Sequence, residues 1–124
     1  MNFLPVEVTG SNGGNISVKL ISLGNVNLEL PLAADSISTG DKLTLGIRPE
    51  HFSFHTVEGV MVEFECDVSE QMGEIAYIYA KTTDGKQIIV EQRNDRSVKS
   101  GDFVKTYIPT NKALLFNQDG LRLR

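Results

Sequence analysis

Apolar residues occupy every second position in four short runs of this chain, and this alternation is the feature that most limits how it can fold. The runs are Ile16–Leu20, Leu43–Ile47, Val60–Val68 and Val104–Ile108. A period of two places alternate side chains on opposite faces of an extended strand, so each run predicts a half-buried β-strand. No window of a dozen residues carries an apolar stripe of period 3.6, which disfavours long amphipathic helices. We therefore predict an all-β fold with short connecting turns and little helix.

The chain also resembles itself. Gly40-Asp41 returns 61 residues later as Gly101-Asp102, and an alternating run and a proline follow each pair. The repeat predicts one small β unit that occurs twice, and a unit of five or so short strands fits a barrel of the oligonucleotide/oligosaccharide-binding (OB) type. We place the first OB-like half at residues 1–58 and the second at 59–124, in one compact unit. Because a half of this size is marginal alone, we expect the halves to share a core or to exchange strands.

The charge balance argues against a nucleic-acid partner. The 124 residues include 12 Lys and Arg against 16 Asp and Glu, which gives a net charge of −4. A negative protein repels phosphate backbones unless its cations are clustered, and here they are scattered. Tyr77 and Tyr79 beside Lys81 form the single stacking platform that the pattern offers to bases.

The cysteine content and the absence of long apolar runs indicate the cellular compartment. The single Cys66 cannot close an intrachain disulfide, which fits a reducing cytosol. Its position among alternating apolar residues predicts a buried, inert thiol. We find no secretion signal and no run of about 18 apolar residues that could span a membrane.

No constellation typical of catalysis or metal binding is present. Nothing matches the nucleotide-binding pattern G-x-x-x-x-G-K-[ST], and the glycine-rich residues 10–15 predict a hairpin turn. His51 and His55, with Glu50 and Glu58 nearby, could in principle hold a metal. On an extended segment both histidines lie on one polar outer face, and no other Cys or His supports such a site. We therefore expect neither a catalytic residue nor a metal ligand here.

The sequence "LGIRPEHF", residues 45–52, places charged residues directly behind a predicted strand. Pro49 has no amide donor and disfavours helix at Arg48, so the strand must leave in extended form and then turn. Arg48 and Glu50 lie on one side of such a segment, where a guanidinium can bind a carboxylate or carbonyl oxygens. Two interpretations follow: an internal clip that fixes the exit of the strand, which we favour, and a direct contact with another chain.

Four stretches, in order, resemble a known family. They are "MNFLPVEV" at the start, "GDKLTLGIRPEHF" from Gly40, "VSEQMGEIAYIY" from Val68 and "GDFVKTYIPTNKALLFNQDGLRL" from Gly101. Together they resemble the C-terminal transport-associated OB (TOBE) domain of ATP-binding subunits from bacterial ABC importers, of the maltose, glycerol-3-phosphate and multiple-sugar type. The resemblance covers nearly the whole chain.

The resemblance implies a non-catalytic accessory and regulatory domain that supports dimerisation of the ATP-binding subunit and docking of a cytosolic regulator. The implied interface residues are Arg48, Pro49, Glu50 and His51, together with Glu70 and Gly73 of what we take as the equivalent loop in the second half. The implied partners are a second copy of the subunit and, through the ATPase domain, the transmembrane permease subunits. ATP and Mg²⁺ would bind that ATPase domain, so no cofactor is expected here. The implied location is the cytoplasmic face of the cell membrane.

Two alternatives remain open at this level. Duplicated OB-like modules related to this family also bind oxyanions such as molybdate, although this chain lacks a characteristic Ser-Ala-Arg-Asn stretch. An OB protein that binds single-stranded nucleic acid is the other alternative, and it predicts binding that depends on salt.

Overall fold

The fold is built almost entirely of antiparallel strands. The computed structural model describes residues 1–12, 14–32, 37–54, 59–93 and 98–123. Two short 3₁₀ turns, Ile21–Leu23 and Pro49–His51, are its helical elements within these residues. The strands are β1 (Asn2–Asn12), β2 (Asn15–Leu20), β3 (Val26–Leu30), β4 (Lys42–Ile47), β5 (Val60–Met72), β6 (Ile75–Lys81), β7 (Gln87–Arg93), β8 (Phe103–Ile108), β9 (Leu114–Phe116) and β10 (Arg122–Leu123). The all-β prediction is confirmed.

The strand order reproduces the repeat in the sequence. The first sheet contains β4, β1, β2 and β3 as neighbours in that order, and the second contains β8, β5, β6 and β7 in the corresponding order. Strands β1 and β2 pair as the hairpin predicted at the glycine-rich segment, and Asn12 pairs with Asn15. One β unit therefore occurs twice, as the 61-residue offset indicated.

The repeated Gly-Asp pair closes a bulge in each half. Gly40 donates its amide to the Val8 carbonyl at 2.8 Å, and Val8 donates its own amide to the Asp41 carbonyl at 2.9 Å. The register of β1 against β2 shifts directly after Val8. In the second half Gly101 bonds to Cys66, and Cys66 to Asp102, each at 2.8 Å. Both glycines have positive φ angles, 94° and 91°, a conformation that favours glycine over residues with a Cβ.

The second half contributes strands to the first sheet, in line with the expectation that such small halves do not fold as separate units. The last strands, β9 and β10, belong by sequence to the second half but extend the first sheet, where Leu115 pairs with Leu45 of β4. The inward faces of both sheets form one buried cluster that includes Leu4, Leu45, Ile78 and Leu115. The boundary between residues 58 and 59 stays a prediction, since residue 58 lies outside the described part of the chain.

Asn2 links the two sheets because its side-chain amide pairs with the backbone of Ile89, as a neighbouring strand would. Its Nδ2 donates to the Ile89 carbonyl and its Oδ1 accepts from the Ile89 amide, both at 2.8 Å. Ile89 lies on β7, the edge strand of the second sheet. The Asn2 amide group is buried, so both bonds are shielded from water. Asn2 thereby satisfies the amide and the carbonyl of Ile89, which would otherwise lack partners at the edge of the second sheet.

A second link joins the equivalent turns of the two halves. Ser22 is fully buried, donates through Oγ to Asp84 Oδ2 at 2.8 Å, and accepts the Thr83 amide at its carbonyl at 3.1 Å. Thr82 also donates its hydroxyl to Asp84. The hydrogen bond from Thr82, followed by that from Ser22, lowers the pKa of the Asp84 carboxyl below its ordinary value.

Candidate functional site

The exit of β4 is a turn and not a continued strand. Arg48 is extended (φ −76°, ψ 148°), and Pro49–His51 then form a 3₁₀ turn in which Pro49 needs no amide donor. The expectation that His51 lies on an extended segment is therefore wrong: His51 ends the turn, with its amide bonded to the Arg48 carbonyl at 3.0 Å. His55 and Glu58, the other members of the possible metal group, lie outside the described residues.

The chain after this turn is attached to the second half. Ser53 and Tyr107 of β8 exchange two backbone hydrogen bonds, at 2.8 and 2.9 Å, and Thr106 donates its buried hydroxyl to the Ser53 carbonyl at 2.8 Å. Gly59 lies against the end of the same strand, where a Cβ would come within 2.0 Å of the Ile108 carbonyl oxygen. The segment that follows β4 is thereby held against β8.

A groove of about 580 Å³ lies between the segment that follows β4 and the segment that follows β8, which we call the first and the second strand exit. The first exit contributes Glu50, His51 and Phe54, and the second contributes residues 109, 111 and 112. The third wall is β7, against which the 3₁₀ turn packs. The sequence repeat predicts two equivalent exits, and the structure brings them to one groove.

An ion pair lies on the β7 wall of this groove. Glu91 Oε2 is 3.3 Å from Arg93 Nε, and these residues stand two apart on the same face of the strand. The Glu91 side chain is only 11% exposed, whereas that of Arg93 is 65% exposed. A carboxylate so shielded is held in place by its guanidinium partner, which keeps further N–H donors for other contacts.

His51 carries an unsatisfied polar atom beside the groove. Its Nδ1 is buried and has no hydrogen-bond partner among the residues that the structure describes. Burial without a partner costs roughly 1–3 kcal/mol, and native proteins tolerate few such atoms. The predicted polar outer face is only partly exposed at His51, because this residue is half-buried.

Arg48 does not act as the internal clip that we favoured. Its side chain is exposed and forms neither a hydrogen bond nor an ion pair with any residue in the described ranges. The exit is fixed by the 3₁₀ turn and by the Ser53–Tyr107 bonds, so the clip interpretation is wrong. The contact with another chain stays a prediction for Arg48, Pro49, Glu50 and His51.

Glu70 and Gly73 lie elsewhere than in the equivalent loop. Glu70 is on the outer face of β5, and Gly73 is in the β5–β6 hairpin turn with φ 68°. The loop that corresponds to the first exit begins instead at Pro109, directly after β8. Glu70 pairs with Tyr77, which pairs with Glu91, so one row across the sheet connects Glu70 to the groove wall.

This row also bears on the stacking platform for bases. Tyr77 and Tyr79 do share the outer face of β6, opposite its buried Ala76 and Ile78. Carboxylates flank Tyr77 on both neighbouring strands, however, and they repel a phosphate backbone. The expected lack of a nucleic-acid partner stays a prediction.

Cys66 is buried, as its alternation with apolar residues predicted. Burial raises the pKa of its thiol, and the nearby Asp102 and Asp67 add to the shift. Within the described residues, no three His, Cys, Asp or Glu side chains are grouped to hold a metal ion. None of the described helical segments has the length and apolar character needed to cross a bilayer.

Sequence reasoning missed Glu91, Arg93 and Lys112 as groove residues. No motif marks them, and Glu91 and Arg93 read only as alternating polar positions on a strand. The available signal was the repeat, because Lys112 follows the proline that corresponds to Pro49.

Comparisons with known proteins give consistent results. Residues 1–52 match the family described as the MalK OB fold domain. The whole chain aligns over 126 residues at 36% identity with the lactose transport ATP-binding protein LacK of Rhizobium radiobacter. It aligns over 125 residues at 33% identity with the maltose/maltodextrin import ATP-binding protein MalK of Shigella flexneri. The chain spans only 34% of the length of each relative, at their C-terminal end, and does not include their ATPase domain.

One solved structure is similar over almost the full chain. It is the cytoplasmic molybdate-binding protein ModG with molybdate bound, which matches with a TM-score of 0.71 over 97% of this chain and 95% of that one. At 13% sequence identity the likeness concerns the fold alone. It supports the fold described above.

Proposed function

This chain belongs to the OB-fold (TOBE-type) domains found at the C-terminus of ATP-binding subunits of ABC sugar importers, and we propose that it is the accessory and regulatory domain of such a subunit. The observation that carries the proposal is the alignment of the entire chain with the C-terminal third of the lactose and maltose proteins. The chain would perform no catalysis itself. ATP and Mg²⁺ would bind the ATPase domain, which the matched region does not include.

Within such a subunit we propose that the domain supports pairing with a second copy. Two features support this role. The Arg48 guanidinium is exposed and unpaired within the described residues, so it can bind a carboxylate or carbonyl oxygens on another chain. Large apolar side chains are also exposed on β5 and β8 of the second sheet, among them Phe103 at 71% and Met61 at 46%. Exposed apolar surface of this kind is typical of protein interaction sites.

The remaining partners follow from the same assignment. The subunit would lie at the cytoplasmic face of the membrane and contact the permease subunits through its ATPase domain. A cytosolic regulator would dock on the surface of the OB-fold domain. Glu70 and Gly73, on the exposed end of the β5–β6 hairpin, remain candidate contact residues for either partner.

The decisive test is the genomic reading frame upstream of the Met1 codon. A frame that runs without a stop from an ABC ATPase coding region into Met1 is the expected result. A stop codon directly upstream would contradict the assignment to an importer subunit.

Pairing itself is tested by substitution in the complete subunit. We expect Arg48→Ala to weaken dimerisation, measured by sedimentation equilibrium, more than it lowers the melting temperature. Lys86→Ala is the matched control, since Lys86 is a cation in an exposed turn of the second half. Equal dimerisation in Arg48→Ala and wild type would remove Arg48 from the interface.

The oxyanion alternative has a separate test. The likeness to ModG concerns the fold and does not by itself assign a ligand to this chain. Calorimetry with molybdate, tungstate and sulfate should give no stoichiometric binding if the chain is an importer domain without such a site. Tight binding of one oxyanion would favour the alternative.

A further inference from the structure

We propose that the groove between the two strand exits binds a neutral, hydroxyl-rich ligand of mono- or disaccharide size. Its volume of about 580 Å³ falls within the range of roughly 300–1,000 Å³ that is typical of small-molecule sites. This inference goes beyond the proposed function, because the ligand would bind this chain itself. It rests on the geometry of the groove and not on the substrates of the relatives.

The charges of the groove select a neutral ligand. Glu50 and Glu91 contribute two carboxylates, while Arg93 and Lys112 contribute two cations. The nearest pair, Glu91 and Arg93, is already joined at 3.3 Å. The two carboxylates and the two cations of the lining balance, so the groove has no net charge that would favour an anion or a cation. A ligand without charge also leaves the ion pair between Glu91 and Arg93 intact.

The hydrogen-bonding groups match hydroxyls. A hydroxyl both donates and accepts, so a ligand with several neighbouring hydroxyls requires acceptors and donors side by side. Glu91 accepts and Arg93 donates within one pair, and Lys112 adds donors on the opposite exit. Because the Glu91 side chain is 11% exposed, a bond to its carboxylate is shielded from water and is stronger than one at the open surface.

The remaining surface of the groove is apolar. Phe54 and Pro109 line it from the two exits, and Phe52 is buried behind the first exit. A sugar ring carries C–H groups on its faces, which pack against apolar side chains while its hydroxyls reach the polar ones. The buried, unpartnered Nδ1 of His51 is an independent sign of a functional site, since native structures rarely retain such an atom without a reason.

The proposal is tested by amide proton–nitrogen correlation spectra of the whole 124-residue chain during titration with lactose and with maltose. We expect saturable shifts that are confined to amides of residues 50–54, 91–93 and 110–112. Glu91→Gln should weaken binding at least tenfold, because a hydrogen bond to a charged group is lost. Lys112→Gln, at an exposed position that cannot disturb the core, should also weaken binding.

Glu63→Gln is the matched control. Glu63 also forms an ion pair on a strand, with Lys105 at 3.8 Å, but it does not line the groove. Its substitution should leave the titration unchanged. The proposal is overturned if neither sugar shifts these amides at tens of millimolar, if Glu91→Gln binds as tightly as wild type, or if sulfate binds the groove more tightly than the sugars. None of these outcomes bears on the reading-frame test of the proposed function.

Discussion

Replacing Asn2 with alanine should destabilise the whole chain, because one side chain closes the edge of the second sheet. The substitution removes two hydrogen bonds of 2.8 Å to the Ile89 backbone. Each bond contributes about 1 kcal/mol net, and a buried group left without a partner costs roughly 1–3 kcal/mol. Asn2 is 7% exposed, so water reaches the vacated groups poorly. We therefore expect a loss of about 2–4 kcal/mol in the free energy of unfolding.

This loss translates into a measurable change in thermal unfolding. A chain of 124 residues has an unfolding entropy such that 1 kcal/mol shifts the melting temperature by roughly 4 °C. Asn2→Ala should thus lower the melting temperature by about 8–16 °C in calorimetry. Hydrogen exchange at the Ile89 amide should accelerate at the same time, because its acceptor is gone. Asn27→Ala is the control, since Asn27 is exposed on β3 and its side chain forms no hydrogen bond within the described residues.

Asn2→Leu separates the hydrogen bonds from the volume of the side chain. Leucine has a similar size but leaves both Ile89 groups unpaired. If the bonds carry the stability, Leu should be as destabilising as Ala. The reasoning is refuted if Leu restores the melting temperature of wild type, or if Ala leaves the Ile89 amide protected.

Three further predictions concern other parts of the chain. Gly59→Ala should destabilise by more than about 3 kcal/mol in chemical unfolding, since its φ is 94° and a Cβ would meet the Ile108 carbonyl at 2.0 Å. Gly10→Ala, with nothing within 4 Å, should stay near wild type. The lowered pKa of Asp84 contributes stability that is present above the unfolded pKa and lost as pH falls through the folded one, so the acid-side decline in melting temperature should be smaller in Asp84→Asn. Cys66 should react with a thiol reagent only as fast as the chain unfolds, and rapid reaction under native conditions would contradict its burial.

Most of the fold could be predicted from two sequence features, the alternation of apolar residues and the internal repeat. A period of two is a local property of the backbone, so the strands around Leu20, Leu45 and Ile108 could be placed from sequence. Duplication then predicted that both halves share one strand order. The extension of the first sheet by β9 and β10 could be expected only in general terms, because pairing across more than 60 residues depends on which edges are open in the assembled fold.

The side-chain contacts across the halves could not be predicted in the same way. Asn2 and Ile89 are separated by 87 residues, and nothing in "MNFLPVEV" distinguishes Asn2 from any polar residue at the start of a strand. The clip assigned to Arg48 failed for a related reason. Local sequence indicated that Arg48 and Glu50 share a side, but the 3₁₀ turn at Pro49 rotates Glu50 away from an extended path. The alternation rule for side chains holds only within a strand, and it fails as soon as a turn interrupts the extended backbone.

The two strand exits differ in sequence, and this difference matters because both exits line the same groove. Each exit follows a β-strand and contains a proline, but the first carries Glu50 and His51 where the second carries Thr110 and Asn111. If the halves were separate domains, these would be two unrelated surface turns. Both exits line one groove with Glu91 of β7: the first supplies the carboxylate of Glu50, and the second supplies the amide of Asn111 and the cation of Lys112. Duplication thus forms a mixed polar groove that neither half possesses alone, and titration of Lys112→Gln and Glu91→Gln tests whether the second exit and β7 both contribute to binding.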